Sequence, residues 1–378
     1  MDNAAASPSQ TPNIRFATRS PFLTELRARV DEYFEHSEIP KRDAPKIYFK
    51  IFVIMTWFVA SWVLLVFYAS TALQGVLCAM SLGFAIGGVG MSVMHDGNHG
   101  AVSDNPKINR LIGYGLDVMG VCSFIWRQRH NNIHHSLTNI QGYDEDLDFG
   151  WVARLATTQK LQPWQRFQHF YVWFLYMLLL PKWAFYDDFN NYRKLQLGRH
   201  KLTPFNRKEK ALFWGWKLFF ISWSILIPAY FHPLWQVFVF HMIAVCTLGF
   251  TLSCTFQLAH VVEQAAFPVV GVDKIDSDWG AHQLATTVDF ARTNPILTWY
   301  MGGLNFQVEH HLFPRICHIH YPALSKIVEE VAAKHNIPYH CNDSFFGALA
   351  SHYRVLKRLR KLEIEVPTLV TQEAVGNG

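Results

Sequence analysis

Residues 51–94 read IFVIMTWFVASWVLLVFYASTALQGVLCAMSLGFAIGGVGMSVM, 44 residues without one Asp, Glu, Lys or Arg. As a single α-helix rising about 1.5 Å per residue, this stretch would run about 65 Å, roughly twice the hydrocarbon thickness of a bilayer. It is therefore two crossings, with a turn near Ser70 and Thr71. Leu218–Val262 repeats the pattern over 45 uncharged residues. It breaks at Phe231–Pro233, where Pro233 lacks a backbone donor and disfavours helix at His232. The two stretches predict an all-α integral membrane protein. Its four spans, at about 49–69, 72–93, 211–230 and 234–259, form two helical hairpins beneath a helical cap.

The rest of the composition agrees. Of 378 residues, 50% are hydrophobic, 15% aromatic and only 17% charged. Among the 34 Lys and Arg, 8 precede Ile51, 15 lie between Met94 and Ala211 and 10 follow Val262; the last is Lys217, in the first turns of the second hairpin. Neither hairpin turn carries one, so both termini, the middle segment and the cap are expected on the cytoplasmic side, with Lys217 snorkelling to that face. A net charge of +5 suits anionic lipid head groups, and the absence of a basic stripe interleaved with aromatics argues against nucleic acid. The six cysteines show no Cys-X-X-Cys spacing and are expected as free thiols in a reducing compartment.

Residues 1–48 read as a tail and an interfacial helix: the first 20 form a mobile segment without a secretory apolar stretch, and Phe22–Phe34 is an amphipathic helix at the membrane surface or on the cytoplasmic domain. The main domain is expected over 49–353 and a C-terminal tail over 354–378. Phe167–Tyr186 is rich in aromatics but interrupted by Pro181, and is expected to be interfacial or re-entrant.

Histidine decides the chemistry. With 19 in the chain, roughly one adjacent pair is expected by chance, so a single pair proves little. Three clusters are another matter. His95 and His99 follow the first hairpin in HDGNHG; His130, His134 and His135 stand in HNNIHH; Gln307, His310 and His311 stand in QVEHH. Spacings of three and four put such residues on one helix face. His260 sits at the mouth of the fourth span, and all these positions fall on the expected cytoplasmic side. Eight imidazoles and one amide exceed the four donors of a structural zinc site and suffice for two metal ions. Asp96 and the acidic run Asp144–Asp148 could orient ligating rings, His318 and His320 are expected to be structural or supporting, and Arg127 and Arg129 could meet a phosphate.

The motifs HDGNH, HNNIHH and QVEHH resemble the three histidine boxes of membrane fatty acid desaturases. NPKINRLIGY, FIWRQRHNNIHH, QLAHVVE and GGLNFQVEHHLFPRICHIHYP extend the similarity, over about Met94–Tyr353, to bacterial acyl-lipid front-end desaturases of the delta-6 type. That resemblance implies a di-iron centre, dioxygen as co-substrate and insertion of a cis double bond into a chain carried on a lipid or on CoA, in a bacterial inner membrane. It implies His95, His99, His130, His134, His135, His260, His310 and His311 as metal ligands. Gln307, where many relatives have a ligating histidine, either coordinates metal or supports a ligand. Many front-end relatives carry a fused haem cytochrome marked by HPGG; that motif is absent here, so the expected electron donor is a separate ferredoxin or cytochrome. Competing readings are a histidine-box hydroxylase, distinguished by an alcohol product, and a metal transporter, whose ligands belong near the bilayer midplane. A zinc protease would need His-Glu-X-X-His, which does not occur.

Overall fold

The computed structural model describes residues 14, 16, 20–269 and 278–361. Nearly all of the tail expected over the first 20 residues, and of that expected over 354–378, lies outside the described residues. Helix Phe345–Arg358 runs through the expected boundary at 353.

Among the described residues four helices are long and apolar enough to cross a membrane: Pro45–Tyr68, Ala72–His99, Arg207–Phe231 and Leu234–His260. The expected breaks separate them. Between the first two, Thr71 Oγ1 accepts from the Gln74 backbone while the Gln74 side chain accepts from Thr71 N, a reciprocal cap that starts the second span. Between the last two, His232 is extended (φ −133°, ψ 153°) ahead of Pro233, and its Nε2 donates to Val66 O at 2.6 Å, tying the two turns together. The first and third spans start earlier than expected, Pro45 serving as a helix-opening proline and Asn206 with Glu209 as a capping box. The second runs on to His99, because nothing stops it before the left-handed Gly100 (φ 74°).

The second span is the hub: 67% of its apolar window is buried, against 22%, 28% and 44% for the first, third and fourth. It lies along the first and fourth spans. Gly83 permits the closest approach, since a Cβ there would stand 2.5 Å from Ala244 O; small residues let membrane helices draw together in this way. Trp57 Nε1 donates to Ser81 Oγ at 2.9 Å and Trp62 Nε1 to Trp223 O at 3.0 Å, pinning the first span to the second and third. Phe49, Phe52, Tyr68, Leu73, Leu218, Leu234 and Phe238 face outward, a belt of apolar side chains suited to lipid rather than water.

Lys217 does not snorkel to the surface. It is buried, and Nζ donates to Gly120 O, Ala184 O and Asp188 Oδ2 at 2.6 to 2.7 Å, so an internal partner replaces water.

Pro106–Val118 and Ser123–Leu137 form an apolar pair bent by 114°, a broken span or re-entrant loop that the hydropathy reading did not single out. Phe167–Tyr186 is not among the helices long enough to cross. It contributes helix Gln168–Met177, which packs along the fourth span, then a short turn and a wider one through Trp183–Asp187. Helix Pro21–Ser37 buries Phe22, Leu26, Val30 and Phe34 against helix Tyr321–Lys334, so its apolar face is covered by the protein. All six cysteines are free thiols.

Candidate metal centre

Box one ends the second span. The helix widens into a π-type turn over Val89–Met94, tightens over His95–His99 and stops at Gly100. Box two lies on a second wide turn, Gln128–His134, followed by His135–Leu137. Wide turns of this kind re-aim side chains and recur at functional sites. Box three is helix Gln307–Leu312. It is brought in by a turn in which Gly302 (φ 62°) is left-handed and pressed against the backbone of Met91 and Ser92, leaving no room for a Cβ.

The structure brings all eight predicted histidines together, each buried. Nitrogens of His95, His99, His130 and His310 lie within 4.8 Å of one another, and those of His134, His260 and His311 form a second such group. His135 falls in a third, overlapping set with His310 and His311, and so bridges the two. Boxes two and three are both divided between groups. Successive helix residues point about 100° apart, so the neighbours His310 and His311 face different groups. Gln307 Nε2 lies 2.9 Å from His260 Nε2, beside the second group, and its Oε1 has no partner among the described residues.

Four outer ring nitrogens are tied down, whereas those of His95 and His135 have no partner among the described residues. His134 Nδ1 donates to Asp144 at 3.0 Å, His311 Nδ1 to Gln283 Oε1 at 2.8 Å and His260 Nδ1 to Thr286 O at 3.4 Å, while His310 Nδ1 lies 3.4 Å from the Tyr321 hydroxyl. Several inner nitrogens are left facing one another. His95 and His135 each bring Nε2 within 3.3 and 3.2 Å of His130 Nε2, and Nε2 of His99, His310 and His311 has no partner among the described residues. Burial first, and the surrounding imidazoles next, hold His310 and His311 well below the ordinary histidine range. They are neutral rings with lone pairs to give, the state in which histidine binds metal.

A family model for fatty acid desaturases matches residues 70–342, which bracket all three boxes. This chain belongs to the fatty acid desaturase family. The desaturase is 36% identical over 353 residues to the sn-1 linoleoyl-lipid 6-desaturase of Arthrospira platensis, covering 93% of this chain and 96% of that protein. It is 36% identical over 351 residues to the protein of the same name from Synechocystis, covering 92% and 98%. Against the acyl-lipid (8-3)-desaturase of Physcomitrium patens it is 34% identical over 354 residues, covering 93% of this chain and 74% of that protein.

The donor set of the desaturase suits a metal site. Two groups of buried imidazoles, several with inner nitrogens that lack a protein partner among the described residues, suit the transition metals that imidazole binds, iron among them. A nearby trio, Asp96, Cys317 and His318, is already satisfied otherwise. His318 Nδ1 donates to Asp96 Oδ2 at 2.7 Å, and Lys50 Nζ stands 2.7 Å from His318 Nε2, where a cation would have to sit. Asp96 therefore does not orient a box histidine, since its nearest oxygen is 3.9 Å from His95 Nδ1. The acidic run divides: Asp144 holds His134, Asp146 pairs with Arg129 at 2.9 Å while its other oxygen stands 3.4 Å from His134 Nδ1, and Asp148 accepts from Gly150 N. Arg127 donates to Asn98 Oδ1 at 3.0 Å and lines a groove beside His99 and His135.

Sequence reading missed several supports. Gln283 and Thr138 hold His311, and Asn139 Nδ2 donates to His260 O at 2.8 Å, joining box two to the fourth span. Asn139 is itself left-handed (φ 56°), a conformation asparagine tolerates better than most residues, and this is the single local hint.

Proposed function

We propose that the enzyme inserts a cis double bond into an acyl chain carried on a membrane lipid, on the carboxyl side of an existing double bond, with two iron ions as cofactor and dioxygen as co-substrate. His95, His99, His130 and His310 would hold one ion and His134, His260 and His311 the other, with His135 between them. Gln307, its amide turned end for end, would present Oε1 to the second; amide orientation follows the hydrogen-bond network. When bound, the iron pair supplies the oxidising power to take hydrogen from unactivated carbon, which no acid–base side chain provides.

One observation carries this reading. A cavity of about 290 Å³ touches His130, His134 and His260 and is walled by Leu147, Phe149, Leu175, Leu179, Phe256 and Val261. An acyl chain entering from the bilayer would exchange one hydrocarbon surrounding for another at little net cost, whereas a polar wall would forfeit about 0.8 kcal/mol for each methylene left against water. The same cavity is lined by Arg129 and Lys182, paired with Asp146 and Asp187, and by Asp144 and Asp148. Charged groups beside the histidines suit front-end chemistry: at about 1.3 Å advanced per carbon, six carbons separate ester from reacting carbon by only about 8 Å. Both cyanobacterial relatives are named sn-1 linoleoyl-lipid 6-desaturases, which supports the same register. The distribution of Lys and Arg supports boxes and termini on the cytoplasmic face.

The test is expression in a host supplied with linoleate, followed by location of double bonds in intact lipids by mass spectrometry. A new cis bond nearer the carboxyl end of lipid-bound chains is expected. A hydroxylated product, or unsaturation appearing first in the CoA pool, would overturn the assignment.

A further inference from the structure

A second opening reaches the clusters. A groove of about 670 Å³ is floored by His99, His135 and His311 and walled in part by Arg110, Arg127 and Arg315. It shares no residue with the apolar cavity. None of these three arginines makes an ion pair among the described residues: Arg127 donates to Asn98, Arg110 to the Tyr114 hydroxyl at 3.1 Å, and Arg315 is exposed. Like charges gathered without counter-ions repel one another and draw in an external anion. Asn98, Asn109, Asn131 and Asn132 along the walls make the groove a poor place for an acyl chain.

The proposed reaction lacks electrons that this groove is suited to admit. A saturated carbon pair with dioxygen, two electrons and two protons gives an alkene and two waters. The two C–H bonds supply half of the four electrons that dioxygen takes up. Resting on the desaturase reading, we propose that the arginine-walled groove docks an acidic one-electron carrier protein. The carrier gives up one electron in each of two encounters, passing it across the histidine floor. His99 and His135 retain slight exposure, 8% and 5%, where the floor opens. Charge complementarity of this kind governs encounter rate and orientation and weakens with salt.

The test uses full-length protein in nanodiscs of zwitterionic phosphatidylcholine, as wild type and as the double variant Arg110→Glu, Arg315→Glu. The probes are a plant-type iron–sulfur ferredoxin and, separately, an acidic soluble cytochrome. At least one probe is expected to bind the wild type with an affinity that falls as salt rises, and to bind the variant about tenfold more weakly or worse. Turnover driven by dithionite should match in the two proteins, whereas turnover driven by the carrier should fall in the variant alone. Equal affinity for both proteins, binding by neither probe, or loss of dithionite-driven turnover in the variant would overturn the proposal. So would a variant that binds the carrier normally but loses affinity for phosphatidylglycerol vesicles, which would make the groove a lipid head-group site. Binding measured on metal-stripped protein decides the docking question by itself. A wild type that forms no product even with dithionite counts against the desaturase reading and leaves the docking result standing.

Discussion

The two openings onto the histidines differ in almost every respect. The smaller, about 290 Å³, is walled by Leu, Phe, Val and Trp from the fourth span, the Phe167–Tyr186 segment and the loop at 147–152, with paired charges beside them, and touches His130, His134 and His260. The larger, about 670 Å³, is walled by Arg, Asn and Ser from box two and from the segments that follow the second span and box three, and touches His99, His135 and His311. No histidine is shared. The difference teaches how one buried centre can serve two reactants of opposite solubility: membrane-facing helices build a hydrocarbon wall on one side, and polar loops build a hydrated one on another.

The comparison breaks most completely if the histidines on which both openings converge are dispensable. His134→Ala and His310→Ala, one from each group, should abolish new double bonds while the chain stays in the membrane fraction; gas chromatography of lipid extracts showing full activity in both would end the account. Asp144→Asn comes next. It removes the carboxylate that orients His134 beside the apolar cavity, and should lower iron affinity or turnover by about 10- to 100-fold. Metal content at wild-type level with unchanged rate would show that the ring needs no such support. Val152→Trp fills the apolar cavity alone, and at an overpacking cost of about 1–3 kcal/mol acyl conversion should fall about tenfold or more while carrier affinity holds. Equal losses on both sides would mean the two openings are one. The smallest effect belongs to Arg42→Gln. Arg42 lines the polar groove but is neutralised by Asp104 at 2.6 Å, so its loss should change carrier affinity by less than about twofold. A loss as large as that of Arg110 and Arg315 would show that ion pairing does not sort these arginines.

The four spans were legible because uncharged runs and breaker residues are local signals, and the structure shifts their ends by only a few residues. The boxes were legible for the same reason: spacing puts His95 with His99, and His310 beside His311, on known faces of short helices. Which histidines meet across boxes was not legible. Whether His130 faces His95 while His134 faces His260 depends on a wide turn at Gln128–His134, and single-residue widening leaves no mark in a hydropathy pattern. Gln283 and Thr138 were invisible for a different reason. They are ordinary polar residues whose importance lies in contacts 28 and 173 positions away in sequence. Lys217 misled because a lone lysine near a span end has two outlets, water or a buried carboxylate, and only packing shows that Asp188 is within reach.

Iron stoichiometry in the purified, membrane-inserted protein tests the central claim most directly. Two irons per chain are predicted, with His260→Ala losing metal from the group it shares with His134 and His311 while the other group keeps its own. A wild-type chain that binds no iron, or one whose iron is untouched by loss of His260 and of His134 together, would contradict the account.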